Sequence, residues 1–271
     1  MKNNRPPKIS VISGAYNCAS IPHFRKSIES ILTQSFSNFE FIICDDGSTD
    51  NTFEILTDYA KRDRRVKLLQ NEKNLGLQKT LNRCIKESQG EHISRHDLDD
   101  YSAPERFQKQ IEHLAYHRET AILGTGSYLF DENGIWGEER PPSTVTKRDF
   151  LFNNPYKHGS VMMRRKALVD IGGYCESWWA KRNEDYELFM RMHLAFRGEN
   201  LALPLYYFCE DKLAIKRRKY RYRINEAIVR AKGFRTLGLM PHAIPYVIKP
   251  LVVGLIPSRI LKRLQSQRRC K

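Results

Sequence analysis

Short runs of β-branched and aliphatic residues alternate with segments of helical period through roughly the first 130 residues. Four runs predict strands: one from Ile9 to about Ser13, then FEFIICDDGS, VKLLQN and EHISRHDLDD. Because strands that alternate with helices usually pair side by side in a parallel sheet, this pattern predicts an α/β fold.

A stripe of apolar residues at helical spacing follows each run. Ser48 or Asp50 is available to cap the second helix, and Pro104 suits the first turn of the fourth. The four stripes are Phe24, Ile28, Ile31 and Leu32; Ile55, Leu56, Tyr59 and Ala60; Leu77, Leu81, Cys84 and Ile85; and Phe107, Ile111 and Leu114.

Carboxylates gather where the second and fourth predicted strands end. In open α/β sheets the ligand binds at the carboxyl ends of the strands, so this edge is the expected site. No GxGxxG follows the first strand and no GxxxxGK[ST] occurs, which argues against a dinucleotide fingerprint and a P-loop. A divalent metal is then the obvious group to neutralise a phosphate. The carboxylates are Asp45, Asp46, Asp97, Asp99 and Asp100.

The charge of the chain is unevenly distributed. Of 46 Lys and Arg and 31 Asp and Glu, residues 211–271 hold 17 basic and two acidic residues, so that segment carries the whole net charge of +15. The first 210 residues are neutral overall. Six cysteines without a CxxC pair indicate reduced, mostly buried thiols rather than a structural zinc site.

The string HDLDD carries candidate metal chemistry. If the strand continues through it, Asp97 and Asp99 point to the same side, because strand side chains alternate. Two carboxylates so placed can hold a hard cation and leave positions for diphosphate oxygens. The alternative is an ordinary polar turn, since Asp-rich turns are common.

Five ordered segments resemble the family 2 glycosyltransferases, which have the GT-A fold. The resemblance implies a Rossmann-like, mostly parallel nucleotide-binding sheet flanked by helices over residues 1–210. Residues 1–103 would bind the nucleotide and residues 104–210 the acceptor, with a basic helical extension at 211–271. The segments are VISGAYN, SILTQSFSNFEFIICDDGSTDNT, NEKNLGLQKTLN, HDLDDYSAPERFQKQ and NEDYELFMRM, with a looser KHGSVMMRR before the last; they cover residues 8 to about 195.

The first segment wraps the nucleotide in such enzymes. The resemblance therefore implies that the ring of Tyr16 lies against the base or ribose, although an ordinary loop aromatic is the alternative. It also implies that the backbone of the three preceding residues lies against the base or ribose: Ser13, Gly14 and Ala15.

Three further side chains are assigned around the nucleotide by the same resemblance. Asp46 would accept a hydrogen bond from the N3–H of a uracil-like base, which favours a UDP donor, whereas Asp45 would organise the turn. Lys79 lies near a position where some members direct a basic residue toward the nucleotide, and a solvated helix lysine is an equal alternative.

The resemblance also implies a metal site and a base. Asp99 would ligate Mn²⁺ or Mg²⁺ directly, with Asp97 reaching the ribose or a metal-bound water and Asp100 supporting the turn. Inverting transfer needs a base for the acceptor hydroxyl, and the motif places it at Asp185, with Glu184 assisting or orienting it. The alternative is that these two acids only begin a helix, where negative charge is favourable.

Three residues are acceptor candidates. Trp178 and Trp179 precede the proposed base, where their rings could stack on a sugar, although packing of a loop is an equal alternative. His158, in the looser segment, would approach the diphosphate or acceptor, and a buried structural histidine is the alternative. The chain departs from the family pattern at Leu98, which is larger than usual, and at Arg95 and His96, where apolar residues are common.

The basic C-terminal segment suggests a surface-binding role. It contains KRRKYRYR at 216–223 and ends in SRILKRLQSQRRCK, with an apolar stripe between them. Such a composition suits an anionic membrane surface; nucleic-acid binding and a solvated tail are alternatives. The stripe residues are Ile224, Ala227, Ile228 and Ala231.

Two further features bear on the expected location. The stretch from Ala243 to Ile256 is broken by Pro, Lys and Gly and is shorter than the ~20 residues of a membrane span. MKNNRPPKIS lacks the apolar region of a secretory signal. We therefore expect a cytoplasmic protein attached peripherally to the inner face of the cell membrane.

We expect an inverting, metal-dependent glycosyltransferase that moves a sugar from a nucleotide to a hydroxyl of a glycan on a lipid carrier, with UDP as the expected nucleotide. The resemblance suggests bacterial capsule, O-antigen or exopolysaccharide assembly as its setting. The alternative is a basic nucleic-acid-binding protein on an α/β scaffold. The acidic strand ends speak against that alternative, because they would repel a phosphate backbone.

Overall fold

A computed structural model describes residues 6–210 and 220–256. Nine strands of these residues form one sheet in the order β3-β2-β1-β4-β8-β6-β9-β5, with β7 beside β6. The strands are β1 Ile9–Ala15, β2 Phe39–Asp45, β3 Val66–Gln70, β4 His92–Arg95, β5 Tyr101–Ser102, β6 Thr120–Asp131, β7 Gly134–Glu139, β8 Met162–Arg164 and β9 Arg197–Cys209.

The helices fall between and after these strands. They are α1 Phe24–Leu32, α2 Thr52–Arg62, α3 Leu77–Glu87, α4 Arg106–Tyr116, α5 Arg165–Asp170, α6 Glu184–Met192, α7 Tyr220–Thr236 and α8 Ile244–Leu255. All four predicted strands and the four predicted helices are present. Of the two predicted capping residues, Asp50 bonds to the start of α2. Its carboxylate accepts a hydrogen bond from Thr52 N–H at 3.0 Å.

The first four strands pair in parallel, as predicted. The second half of the chain adds antiparallel pairs, because β8 runs opposite to both β4 and β6. β9 then lies parallel to β6 and carries the chain back to the carboxyl ends of β1 and β4, where it pairs with β5. This return brings the second half of the chain to the predicted ligand edge.

Helices cover both faces of the sheet. Along β1, Val11 belongs to one buried cluster and Ile12 to the other, as the alternation of strand side chains requires. The first cluster includes the apolar faces of α1, α2 and α4; the second includes those of α3, α6 and α7.

α7 is part of this core. It packs against α6, and its Val229 and Phe234 are buried in the same cluster as Phe189 of α6. Of the predicted apolar stripe, Ala227 is buried and Ile224 is exposed. Residues 216–219 of the basic string and the terminal SRILKRLQSQRRCK lie outside the described residues. None of the described helices combines the length and apolar character needed to cross a bilayer.

Candidate active site

The loops that follow β1 and β2 are joined by hydrogen bonds. The backbone N–H of Asn17 donates to Ser48 Oγ at 3.0 Å, and that of Cys18 donates to Thr52 Oγ1 at 2.7 Å. In return, Thr49 N–H donates to the side-chain oxygen of Asn17 at 2.9 Å. The two loops therefore form one continuous edge at the carboxyl ends of their strands.

The predicted nucleotide residues of β1 differ in exposure. Ser13 is buried and its Oγ donates to the carbonyl of His96 at 2.6 Å, so its side chain is already used. Gly14 packs closely on α3, since a Cβ there would lie 3.1 Å from Leu77. Ala15 is buried, whereas Tyr16 is 47% exposed where the strand ends.

Asp45 organises the turn after β2, as expected. Its carboxylate accepts hydrogen bonds from the backbone N–H of Ser48 at 3.2 Å and from the Ser48 hydroxyl. Both residues are thereby fixed within the turn. The Asp45 side chain is buried, so it faces the protein rather than a ligand.

Asp46 ties β2 to the start of α3. Its Oδ1 accepts from Asn71 Nδ2 at 2.8 Å and from Leu75 N–H at 2.9 Å, and its Oδ2 accepts from Gly76 N–H at 2.9 Å. A carboxylate has about four acceptor positions. Three are used here, so one acceptor position of Asp46 remains for the nucleobase of a donor. Lys79, further along α3, is exposed. The nucleotide roles of Asp46 and Lys79 stay predictions.

The acidic HDLDD string is a turn and not a continuation of β4. The strand ends at Arg95, and the N–H of Asp100 donates to the carbonyl of Asp97 at 3.2 Å. The strand alternation that we used to pair Asp97 with Asp99 therefore does not apply. Leu98 between them is buried in the core, so the larger residue does not crowd the site.

Arg95 lies directly behind this turn and is fully buried. Its guanidinium donates to the Asp97 carboxylate at 2.5 Å and to the backbone carbonyls of His96 and Ile12. The cation therefore has partners that offset the cost of its burial. The unusual polar residue at this position holds one oxygen of Asp97 in place.

Asp100 anchors the turn from the other side. It is fully buried, and it accepts hydrogen bonds from the Tyr206 hydroxyl at 2.8 Å and from Cys209 N–H at 2.7 Å. Burial, followed by the charges of Asp99 and Asp97, raises its pKa well above the usual range for a carboxyl group. The supporting role expected of Asp100 is what these contacts show.

Asp185 lies in the first turn of α6 and is partly exposed. Its Oδ2 accepts a hydrogen bond from the side-chain amide of Asn154 at 2.8 Å. Because Asn154 holds Oδ2, the direction of the other carboxylate oxygen of Asp185 is also set. The partner comes from a different segment of the chain. This contact is compatible with a positioned base and with a favourable charge at a helix N-terminus, so the base role of Asp185 stays a prediction.

Glu184, its neighbour, points into the protein. It is buried, and its Oε2 has no hydrogen-bond partner among the described residues. Burial, and secondarily the charge of Asp185, raises the pKa of Glu184 to about 7. Glu184 therefore holds its proton to a higher pH than an exposed glutamate does.

His158 lies beneath the site. Its Nε2 is 2.7 Å from the hydroxyl of Tyr174, and its ring packs edge-on against Phe189. Burial and the charge of Arg95 lower its pKa, which favours the neutral imidazole at pH 7. His158 is partly exposed, and its role toward a diphosphate or acceptor stays a prediction, as does the structural alternative.

A cleft of about 550 Å³ contains both Asp99 and Asp185. The structure thus brings together the proposed metal ligand and the proposed base, which lie 86 positions apart in the chain. The remaining lining residues were not identified from the sequence: Asn153, Asn154, Arg182, Asn183, Tyr186, Phe208, Cys209, Tyr222, Arg223, Glu226 and Arg230. Four of them lie on α7, whose basic character pointed to a surface role instead.

The two tryptophans have different environments. Trp179 packs against the core, and Lys232 of α7 lies 4.9 Å from its ring centre. Trp178 is 71% exposed. Neither ring is among the described residues that line the cleft. An acceptor role for either residue stays a prediction.

The acidic turn suits a hard divalent cation. Asp99 lines the cleft, and Asp97 is partly exposed with one oxygen on Arg95. The other oxygen of Asp97 has space because residue 159 is glycine: a Cβ there would come within 2.9 Å of it. Carboxylate oxygens are the ligands that Mg²⁺ and Mn²⁺ prefer, so the donor set fits such an ion.

Comparison with known proteins places this chain in a family. Residues 10–172 match the family model described as Glycosyl transferase family 2. The chain is 40% identical to the putative glycosyltransferase EpsE of Bacillus subtilis over 267 residues, which are 98% of this chain and 95% of that protein. It is 27% identical to the amylovoran biosynthesis glycosyltransferase AmsE of Erwinia amylovora, over 96% of this chain and 98% of that one.

The fold is also found in a solved crystal structure. The crystal structure of Staphylococcus aureus TarS residues 1–349 in complex with UDP superposes with a TM-score of 0.70 at 21% identity, covering 90% of this chain and 70% of that one. The predicted fold class, α/β of the GT-A type, is confirmed.

Proposed function

This chain belongs to glycosyl transferase family 2, and on that premise we propose that it transfers a sugar from UDP to a glycan hydroxyl with inversion at the anomeric carbon. The observation that carries the proposal is the single cleft that Asp99 and Asp185 share. One residue can serve the departing diphosphate there while the other serves the attacking hydroxyl.

The donor would lie along the joined loops of β1 and β2. Tyr16 is exposed where a base or ribose would stack, and the backbone of Ser13, Gly14 and Ala15 forms the strand end beside it. The remaining acceptor position of Asp46 suits a uracil N3–H. The UDP complex of TarS, which shares this fold, supports a UDP donor.

The base would be Asp185. The acceptor oxygen attacks the anomeric carbon as the bond from that carbon to the phosphate oxygen breaks, and the nucleoside diphosphate leaves with the electron pair. Asp185 takes the hydroxyl proton on the oxygen that Asn154 does not occupy. Buried Glu184 keeps the charge at the start of α6 low while it is protonated.

Asp99, supported by Asp97, would hold Mn²⁺ or Mg²⁺. The ion would stabilise the negative charge of the leaving diphosphate as a Lewis acid. Arg95 contributes a second, fixed positive charge behind Asp97. Because Asp100 is anchored to β9 through Tyr206, the turn is rigid before a ligand arrives.

The acceptor side would be formed by α7 and the segment before α6. The similarity to AmsE over nearly its full length supports a role in bacterial polysaccharide assembly. Tyr222 and Arg223 on α7 line the cleft. An aromatic ring and a cation beside the base suit a sugar acceptor that carries phosphate.

A lipid-linked acceptor would require the enzyme to bind a membrane surface. Helix α8 has an exposed apolar face that suits such binding. Four apolar side chains at spacings of four, four and three residues lie on one face of α8 and are 45 to 73% exposed: Ile244, Ile248, Val252 and Leu255. Residues 211–271 carry a net charge of +15. Apolar insertion together with attraction to anionic lipids would bind such a helix to the bilayer surface.

Calorimetry with UDP in the presence and absence of Mn²⁺ tests the proposal. We expect UDP binding that depends on Mn²⁺ and is lost in Asp99→Asn. In a panel of UDP-sugars and GDP-sugars, we expect turnover of a UDP-sugar that falls about 10²–10⁴-fold in Asp185→Asn while UDP binding is kept. Metal-independent UDP binding together with full turnover of Asp185→Asn would contradict the assignment.

A further inference from the structure

A second group of metal-ligand side chains lies away from the cleft. His113 on α4 and His117, which follows its last turn, are four residues apart and face Glu199 at the start of β9. Their ligand atoms lie within 4.8 Å of one another. Glu199 and the cleft residue Cys209 are at opposite ends of β9, about 30 Å apart for an extended strand.

The geometry of the three side chains is close to a metal site. The Nε2 of His113 and the Nδ1 of His117 lie 2.6 and 3.7 Å from the same oxygen of Glu199. Ligands about 2.0–2.1 Å from a tetrahedral zinc ion are roughly 3.3 Å apart, and the two observed separations bracket that value. The Nε2 of His113 would have to move about 0.7 Å away from the Glu199 oxygen to reach this spacing.

The surrounding contacts position the carboxylate, whereas one imidazole ring must turn before both can bind one ion. The two rings are stacked with centres 4.0 Å apart and an angle of 1° between their planes, so their nitrogen lone pairs do not converge on one point. The other oxygen of Glu199 accepts from Arg197 at 2.8 Å, which leaves the first oxygen turned toward both rings. Outer hydrogen bonds of this kind orient ligating carboxylates. Glu199 is buried while His117 is half exposed, so an ion could enter from solvent.

We propose that His113, His117 and Glu199 form a site for Zn²⁺ or a similar borderline transition-metal ion, separate from the catalytic turn. Two imidazoles and one carboxylate select such ions over Mg²⁺, which prefers oxygen ligands alone. The ion would fasten the end of α4 to β9. This inference is independent of the transfer reaction, because none of its residues lines the cleft as described.

Thermal unfolding of the full, metal-free chain with ZnCl₂ alone tests the site. At a Zn²⁺ concentration about tenfold above Kd, we expect the Tm to rise by about 2–4 °C. The rise should be lost in His117→Ala and His113→Ala and kept in His242→Ala, a matched exposed histidine. It should also be kept in Asp99→Asn, which removes the proposed catalytic ligand and so separates the two sites.

Cobalt provides a readout that does not depend on stability. Co²⁺ bound by two imidazoles and a carboxylate should give visible absorption bands of a tetrahedral ion in the wild-type chain and in His242→Ala. The bands should be absent in His117→Ala, whose exposed side chain can be removed without loss of folding. Equal Tm shifts and equal spectra in wild type and His117→Ala would overturn the proposal and leave the cluster as a hydrogen-bonded contact only.

Discussion

The buried guanidinium of Arg95 donates a hydrogen bond of 2.5 Å to the carboxylate of Asp97, so a fixed positive charge stands directly behind the acidic turn. Arg95 is 1% exposed, and its Nη1 donates to the backbone carbonyls of Ile12 and His96. The arginine thus joins β1, β4 and the turn. It holds the Asp97 side chain toward the site before any ligand is present.

Arg95→Lys should weaken both the fold and the site. Lysine keeps the charge but cannot make the planar, forked set of hydrogen bonds that arginine makes. We expect the free energy of unfolding to fall by about 2–4 kcal/mol, as is typical when a buried polar network is broken. Urea denaturation measures this change. Arg148→Lys, at an exposed position, should change stability by less than about 0.5 kcal/mol, and a similarly small effect of Arg95→Lys would contradict the network.

The first half of the fold could be predicted because its signals are local. Each of α1 to α4 has an apolar stripe, and each preceding strand has a β-branched run, so period alone located them. The end of β4 could not be placed in this way. Arg95 and His96 are polar yet buried, and their partners Ile12 and Ser27 come from other elements. Tertiary contacts therefore decide where that strand stops.

Glu184→Gln should change the pH dependence of stability. Burial raises the pKa of Glu184 from 4.5 to about 7, so the folded state holds more protons than the unfolded state between these values. The contribution of this group to stability is therefore fully present below pH 4.5 and is lost as pH rises through 7. At pH 8 the variant should be more stable than wild type by up to about 3 kcal/mol.

Denaturation midpoints measured from pH 4 to pH 8 check this expectation. The wild-type chain should lose stability relative to Glu184→Gln as the pH rises, because glutamine has no proton to lose. Glu72→Gln, at an exposed position, is the matched control and should follow the wild-type curve. Parallel curves for wild type and Glu184→Gln would show that Glu184 does not titrate in this range.

Asn154→Ala should lower kcat without weakening donor binding. Asn154 donates to the Oδ2 of Asp185 at 2.8 Å, so its removal leaves the proposed base less well oriented. We expect a fall of about tenfold in kcat, smaller than for loss of the base itself. Asn153→Ala, at the neighbouring lining position, is the control. An unchanged kcat in Asn154→Ala would show that Asp185 does not depend on this contact.

Tyr222→Ala should raise the acceptor KM and leave the donor KM unchanged. Tyr222 lines the cleft from α7, on the side of Asp185 rather than of the β1 and β2 loops. Loss of one aromatic stacking surface typically costs about 1 kcal/mol, or roughly fivefold in KM. Tyr220→Ala removes an exposed tyrosine from the same helix as a control. Equal effects of the two variants would exclude a specific acceptor contact at Tyr222.

The candidate site could be predicted only in part. Asp99 and Asp185 belong to motifs that resemble those of the family 2 glycosyltransferases, and both residues line the cleft. Asn154 has no comparable motif, and its contact with Asp185 spans 31 positions. α7 shows the same limit: Tyr222 and Arg223 belong to a basic string whose composition resembles a membrane-binding segment, and only the fold shows that these two residues also line the cleft.

Ile248→Glu combined with Val252→Glu should reduce binding to vesicles that contain phosphatidylglycerol. Both residues lie on the exposed apolar face of α8, and α8 packs on α7, which lines the cleft. If this face enters the bilayer interface, two buried carboxylates would oppose insertion, and we expect at least a tenfold loss of affinity. Val169→Glu combined with Leu203→Glu adds the same charge at two equally exposed apolar positions and should bind nearly as wild type. Equal losses in the two double variants would show that net charge alone, and not the α8 face, attaches the chain to the membrane.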